Sequence, residues 1–509
     1  MRSLLVYGAG ILLAVWMGFL LASYDPLWMK SNWIVFGCLA LLFCMPVLLR
    51  WNHFLMIAAW NLPLTLFFLP GKPAMWIPMV CLSLGISVVQ RTINSQMRFI
   101  SAPMTAWPLI FMVGVILFTA KMTGGIGLHA FGSDVAGGKK AVFLIIEVLG
   151  YFALTARPIP PKRARLYIAL FLLGGCLSFI GDLAPFLPSA LRYIYLFFPV
   201  TAWSADPLNV NSHARFAGTG TAGTWGVFLM LAIYGIRGIF LSGKPWRLCV
   251  FALFVMMVPI SGFRSQIIFC GMLFGLQFFM EGMHRTKLLP IFAFVGALGI
   301  VLLIPFVQKM PFMVQRSLAF LPLKIDHAAK MEAEGSKEWR LELWKEALPM
   351  VPKYFWLGKG YVITQQELAM SQIHGFRDVN DAKGNIGTVG NWHSGPLSVV
   401  IPLGIWGIIA VIWFWGASLR ALYLNYRYGD PAFAVVNRFL FAWYAVKIFM
   451  FIVIVGDLAS DMVNFTAITG LSIALNNGIR RPALNRLPDA AKAPAPPFHP
   501  QFNRRSAAD

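Results

Sequence analysis

Three polar positions in this chain stand where a long apolar stretch begins, and each carries a side chain able to handle phosphate or protons. The first is Arg215, in Arg215-Phe216-Ala217-Gly218, and the second is Arg264, in the tight turn Ser261-Gly262-Phe263-Arg264-Ser265. The third is His393, in Asn391-Trp392-His393-Ser394-Gly395. A guanidinium at membrane depth is costly unless it is paired or faces a cavity, and no acidic residue lies near Arg264 in sequence. A cation beside a helix N-terminus is also electrostatically unfavourable, a conflict that an anion between the two removes. Two arginines can grip a diphosphate through paired hydrogen bonds that lysine cannot reproduce. His393, with an ordinary pKa near 6.5, suits a general base, and the helix dipole would keep it neutral. The bland alternatives are an interface-anchoring arginine and an inert exposed histidine.

Other candidates have less to support them. Gly218-Thr219-Gly220-Thr221-Ala222-Gly223 matches GxGxxG, but a dinucleotide site needs a preceding strand and a βαβ unit, which the surrounding apolar pattern lacks. The small residues either let a phosphate approach the backbone or form a packing patch. Glu147 and Lys447 fall mid-run, where ionisable residues are functional candidates or structural partners. Asp457 and Asp461 sit four apart across a short turn, and Asp378, Asp381 and His374 share a Gly-rich loop. None of these sets has converging metal-ligand spacing, so no metal and no cofactor is assigned. Gly271 and Gly275 read as helix packing. The six cysteines lie inside apolar runs with no CxxC pair and read as small buried hydrophobes.

The elements that must position these residues are membrane helices. Of 509 residues, 58% are hydrophobic and 12% charged, with 18 Trp and 43 Phe and a mean hydropathy of +0.70. A soluble domain carries roughly twice that share of charge, which excludes an ordinary globular enzyme, a coiled coil and a disulfide scaffold. We expect an all-α polytopic protein with about fourteen spans, since a helix needs roughly 17–25 apolar residues to cross a bilayer. The runs lie near 4–22, 33–49, 54–70, 75–90, 106–120, 140–156, 166–182, 222–241, 246–261, 265–281, 288–307, 395–418, 437–456 and 461–477. The first is longer than a signal-peptide core and is read as a retained helix.

The net charge of +22, from 42 Lys and Arg against 20 Asp and Glu, would suggest nucleic acid in a soluble protein. Alternating the loops from an inside N-terminus assigns 22 basic residues to one side and only eight to the short loops of the other. Positive residues favour the cytoplasm, so both termini are expected there and no nucleic acid is implied. Arg215, Arg264 and His393 then share the outer face. Residues 1–182 read as N-terminal spans, and 183–307 as spans with a Pro- and aromatic-rich outer connection. Residues 308–394, with nine acidic and eleven basic residues, read as an outer subdomain in which Lys337–Leu348 forms an amphipathic helix on Leu341, Trp344 and Leu348. Residues 395–478 hold the last spans, and 479–509 a disordered cytoplasmic tail.

Four stretches, in order, resemble the O-antigen ligase and Wzy-type polysaccharide polymerase superfamily of bacterial inner membranes. They are Arg215-Phe216-Ala217-Gly218-Thr219 opening a span and the Ser261-Gly262-Phe263-Arg264 turn. Then come Trp339-Arg340-Leu341-Glu342-Leu343-Trp344 through Leu357-Gly358-Lys359-Gly360, and His393 followed by Pro402-Leu403-Gly404-Ile405-Trp406-Gly407. The resemblance covers roughly 215–410. Ser394 stands where the family usually has Asn, and Pro402 near its common Glu. The resemblance implies metal-independent, inverting glycosyl transfer on the periplasmic face, from a glycan on undecaprenyl diphosphate to a glycan or lipid acceptor. It implies diphosphate binding by Arg215, Arg264 and Arg340, and proton removal by His393. Polymerase and ligase remain open alternatives. A lipid-linked-oligosaccharide flippase or other transporter is the rival class, favoured by the span count and by Glu147 and Lys447.

Overall fold

The structure, a computed structural model, describes residues 43–67, 69, 72–124, 138–203, 215–362 and 392–481. The expected run 4–22, most of 33–49 and nearly all of the tail lie outside the described residues, as do His374, Asp378, Asp381 and Asn391. The protein is a mostly helical, multi-pass bundle. Its helices are α1 Met45–Ala59, α2 Trp76–Ile93, α3 Pro103–Met122, α4 Lys139–Thr155, α5 Ala164–Cys176, α6 Ala217–Phe240, α7 Pro245–Met257, α8 Arg264–Met280 and α9 Leu288–Leu303. Then follow α10 Phe312–Ser317, α11 His327–Ala347, α12 Met350–Tyr354, α13 Gly395–Tyr428, α14 Ala434–Phe449 and α15 Leu458–Asn476.

Among the described residues, seven helical stretches are long and apolar enough to cross a membrane, and three shorter apolar ones accompany them. One expected run is displaced. Instead of a span over 54–70, helix α1 ends at Ala59, and the described residues between it and α2 are not helical. Pro63 and Pro73 cannot donate to a helical ladder, and Asn61 turns back to donate to the Phe171 carbonyl at 2.8 Å. Apolar content alone could not see this stop.

Prolines at the first turns of α3, α7 and α13 pre-set their starts, since their missing N–H would be unpaired there anyway. Within α6, Gly235 adopts φ +63° and breaks the ladder. The freed N–H groups of Ile236 and Arg237 donate to the Glu281 carboxylate at 3.0 and 2.9 Å. Large aromatics, among them Trp443, Tyr151, Phe171 and Phe439, are fully buried where α4, α5, α6, α14 and α15 meet. Some polar groups inside the bundle pair with each other: Asn437 and Asn476 exchange amide hydrogen bonds at 3.0 and 2.8 Å. By contrast, α9 buries nothing and exposes Ile291, Phe294, Val295 and Leu298, as a lipid-facing helix does.

Helices α10 to α12 form the polar excursion between α9 and α13. Helix α11 is longer than the expected 337–348 and buries a different face. Ala329, Ala333, Leu343 and Ala347 are buried, whereas Leu341 and Leu348 are exposed. Small alanines set the close side, and hydrophobic size misled the expectation. Trp344 does take part, donating its indole N–H to the Trp392 carbonyl at 2.9 Å.

Candidate functional site

Arg215 sits on a two-residue strand, Arg215–Phe216, paired antiparallel with Ala202–Trp203 so that Trp203 opposes Arg215. Immediately after it, α6 begins at the glycine-rich stretch. The two readings of that stretch are now separable. The N–H groups of Gly218 and Thr219 donate to the Asp182 carboxylate at 3.2 and 2.5 Å, and Thr201 donates to the same group at 2.7 Å. The helix N-terminus is thus satisfied by a buried side chain of the protein itself. A Cβ at Gly218, Gly220 or Gly226 would overlap Ser178, Ser261 or Phe254. The glycines serve packing, not phosphate.

The guanidiniums gather one layer away. Arg215 donates to Glu332 on α11, and Arg316 on α10 lies with its Nε 3.1 Å from the same carboxylate. Arg316 also donates through Nη1 to the Gly262 carbonyl at 3.0 Å, bracing the turn that carries Arg264. Gly262 adopts φ +72°, the left-handed conformation this turn requires. Arg264, at the first residue of α8, donates to the Ala333 carbonyl at 2.8 Å, so the neutral partner missing from its sequence neighbourhood comes from α11. Arg340 lies seven residues beyond Ala333 on the same side of α11, and its Nε is buried without a hydrogen-bond partner.

Arg215 and Arg316 thus share the Glu332 carboxylate, and Arg264 and Arg340 lie near Arg316. Their mutual proximity appears in the acidities. Burial, then Arg215, lower the pKa of Arg316 to about 10, with Glu332 opposing and Arg264 and Arg340 adding to the decrease. Burial and Arg264 also lower that of Arg340. Arg316 remains a cation at neutral pH, so the cluster carries a surplus of positive charge.

His393 stands at the rim of this cluster, just before α13. Its backbone takes φ +47°, rare for a residue with a Cβ, and strain of this kind gathers at functional sites. The buried Trp392 and the bond from Trp344 hold the peptide on one side. On the other, Ser398 on α13 accepts from the Leu458 N–H at 2.9 Å and ties the helix start to α15. The imidazole packs edge-on against Trp339, with ring centroids 5.3 Å apart. Burial, then Arg340, lower its pKa, with Lys140 acting the same way and Asp457 opposing. The neutral, proton-accepting form is favoured, through burial and a neighbouring cation.

Beside His393 opens a cavity of about 330 Å³ lined by Lys140, Lys447, Gly456, Asp457, Ser460 and Asp461. Lys447 pairs with Asp461 at 2.6 Å, and Lys140 with Asp457 at 3.3 Å. Glu147 is buried in α4 with Oε2 unpartnered, and it makes no ion pair with Lys447. The arrangement places a group of guanidiniums on one side of His393 and a cavity lined by two ion pairs on the other.

Residues 248–412 match the family model described as O-antigen ligase. That match supports the O-antigen ligase and Wzy-type superfamily. It spans about a third of the chain, running from α7 to the middle of α13. Among curated proteins, none matches the chain. The matched segment contains Arg264, Arg316, Glu332, Arg340 and His393, while Arg215 and the Asp457–Asp461 wall come from outside it.

Its Gly358–Gly360 motif also gains a structural meaning. Helix α13 breaks at Gly404, with φ +64° and ψ −158°. The carbonyls of Ile401 and Pro402 accept from the N–H groups of Lys359 and Gly360 at 2.8 and 2.9 Å, and Ile405 N–H donates to Phe355 at 2.7 Å. The segment between α9 and α13 is thus stitched into the opened span. Arg316 and Glu332 escaped the sequence reading because both lie among many charges between 308 and 394. The usable signal was a cation inside the short apolar stretch Phe312–Leu318.

Proposed function

We propose that the protein transfers a glycan from a lipid diphosphate, undecaprenyl diphosphate in bacteria, to an acceptor hydroxyl at the outer face of the inner membrane. The observation that carries the reading is the cluster of Arg215, Arg264, Arg316 and Arg340, of which Arg215 and Arg316 share one carboxylate, abutting a histidine kept neutral. In this reading the acceptor oxygen attacks the anomeric carbon while His393 takes its proton. The bond from that carbon to the diphosphate breaks with inversion, and the electron pair leaves on the diphosphate. The charge that develops is on the departing oxygen, where fixed cations lower the barrier most. Arg264 and Arg340 face it directly, and Arg215 and Arg316 reach it from the side away from Glu332. The cavity lined by Asp457, Ser460 and Asp461 receives the acceptor, its carboxylates accepting from sugar hydroxyls. The outer segment 308–394 acts as a subdomain over this site, with both termini cytoplasmic. Polymerase and ligase share this chemistry and differ in acceptor.

The test is transfer by purified protein from a lipid-linked glycan to candidate acceptors. Arg264→Ala is expected to lower turnover about 10²–10³-fold, the usual cost of one lost donor at a developing anion. His393→Ala is expected to abolish it. Full activity in either variant overturns the role given to that residue. One observation favours a second reading: Glu147, buried and partly unpartnered in the bundle, is what a transporter would use to carry charge. Flux of lipid-linked glycan across liposomes without any transfer would establish that alternative.

A further inference from the structure

A second cationic pocket lies at the opposite end of the bundle. Lys140, at the start of α4, lines the His393 cavity, whereas Arg157, just past the end of α4, lines this pocket. The two are separated by the length of that 17-residue helix, about 25 Å. The pocket has a volume of about 250 Å³, and its walls include Arg50, Arg157, Arg163, Trp51, His53 and Tyr167.

Nothing acidic lines it, and none of its three arginines makes an ion pair among the described residues. Elsewhere at the same end of the bundle, Arg438 lies 3.7 Å from the Glu281 carboxylate, whereas Arg237 and Arg247 donate to the Glu281 and Gly238 carbonyls at 2.8 and 2.9 Å. What sets this pocket apart is that three arginines line one cavity. A positive residue that serves only to orient the chain needs no pocket, so charge bias does not account for the arrangement.

The side chains are also held in place. Arg157 donates to Gln90, whose amide donates onward to the Leu49 carbonyl at 3.0 Å. Arg50 and Arg163 both lie over the Trp51 ring, 6.0 and 5.8 Å from its centroid. His53 is 5% exposed and bonded to the Leu154 carbonyl at 3.0 Å. Around the rim, Leu49, Trp51 and Leu166 present apolar surface outward. Convergent guanidiniums for an anion, with an apolar border beside them, match a molecule that is anionic at one end and hydrocarbon at the other.

The geometry points to a binding site for the phosphate headgroup of an anionic membrane phospholipid, held by Arg50, Arg157 and Arg163 with its acyl chains along Leu49 and Leu166. Phosphate chemistry is shared with free phosphate ions. The apolar rim and the position at the end of membrane helices commit the site to a lipid. The inference stands independently of glycan transfer.

The experiment uses full-length purified protein in a neutral detergent, with dioctanoyl phosphatidylglycerol as the probe. Dioctanoyl phosphatidylcholine and sodium phosphate are the comparators. The expected result is saturable binding of phosphatidylglycerol and a rise in the thermal midpoint that neither comparator reproduces. Arg157→Gln combined with Arg163→Gln should weaken the dissociation constant about 25-fold, at about fivefold per arginine. If that pair fails to fold, the exposed Arg50→Gln alone should weaken it about fivefold while leaving the lipid-free midpoint unchanged. Unaltered affinity in the folded variants, no binding to the wild type, or an equal effect of phosphatidylcholine or of phosphate alone overturns the proposal.

Discussion

Glu332 is the carboxylate that Arg215 and Arg316 share, and Glu332→Gln separates its two effects. The substitution removes one negative charge while keeping an oxygen that can still accept from Arg215 and Arg316. For substrate, the lost carboxylate is a lost competitor. A diphosphate gripped on the far side of the guanidiniums lies roughly 7 Å from it, where one pair of unit charges interacts by about 0.6 kcal/mol in a water-like medium and about 2.4 kcal/mol at a protein-surface dielectric. Relief of that repulsion should lower the donor KM about 3- to 50-fold. For the fold the sign is opposite. Arg316 has a side chain only 7% exposed and loses its anionic partner, but Glu332 is 35% exposed and solvent screens it. The expected loss is about 1–2 kcal/mol, well below the cost of breaking a fully buried pair. The assays are steady-state transfer with varied lipid-linked donor, and thermal unfolding in detergent. A donor KM that rises in a variant of near-normal stability would refute the reasoning. It would mean that Glu332 organises the arginines for substrate instead of competing with it.

The acid limb of the pH–rate profile should report His393, since the base must be neutral. Arg340 lowers its pKa and Asp457 raises it, so Arg340→Gln should move the limb to higher pH and Asp457→Asn to lower pH. Shifts in the same direction, or none, would remove His393 from the base role. Gly358→Ala should destabilise the protein by at least about 2 kcal/mol, because φ is +77° and the new Cβ would overlap the Pro402 carbonyl. Gly335→Ala on α11, with open space around its Cβ, is the control and should be neutral or slightly stabilising in the same thermal melt.

Much of this was legible in the sequence because of where single residues fall against the apolar pattern. Arg215, Arg264 and His393 announce themselves by opening apolar stretches, and the helices that carry them follow from hydropathy and first-turn prolines. Arg340 became a candidate only through the resemblance, yet it joins the same cluster. What stayed hidden depended on partners remote in sequence. Asp182 caps α6 from 36 residues upstream, which turned an anion-ready glycine stretch into a packing surface. Arg264 looked unpaired because its acceptor is a carbonyl, and carbonyls leave no trace in a sequence. Arg316 and Glu332 were two charges among twenty in their segment, and charge by itself carries no periodicity. The misplaced face of α11 has a related cause: a helix approaching closely buries its alanines, while a hydrophobicity pattern follows its leucines.

The stitching of Lys359 and Gly360 into the break at Gly404 bears on how such proteins diversify. The segment between α9 and α13 shares backbone hydrogen bonds with the first half of α13, so neither finishes its own ladder without the other. Exchange of that segment alone between relatives would leave the Ile401 and Pro402 carbonyls without donors inside a membrane helix. A unit of exchange that keeps these bonds runs on past His393 into the span and carries that histidine with it.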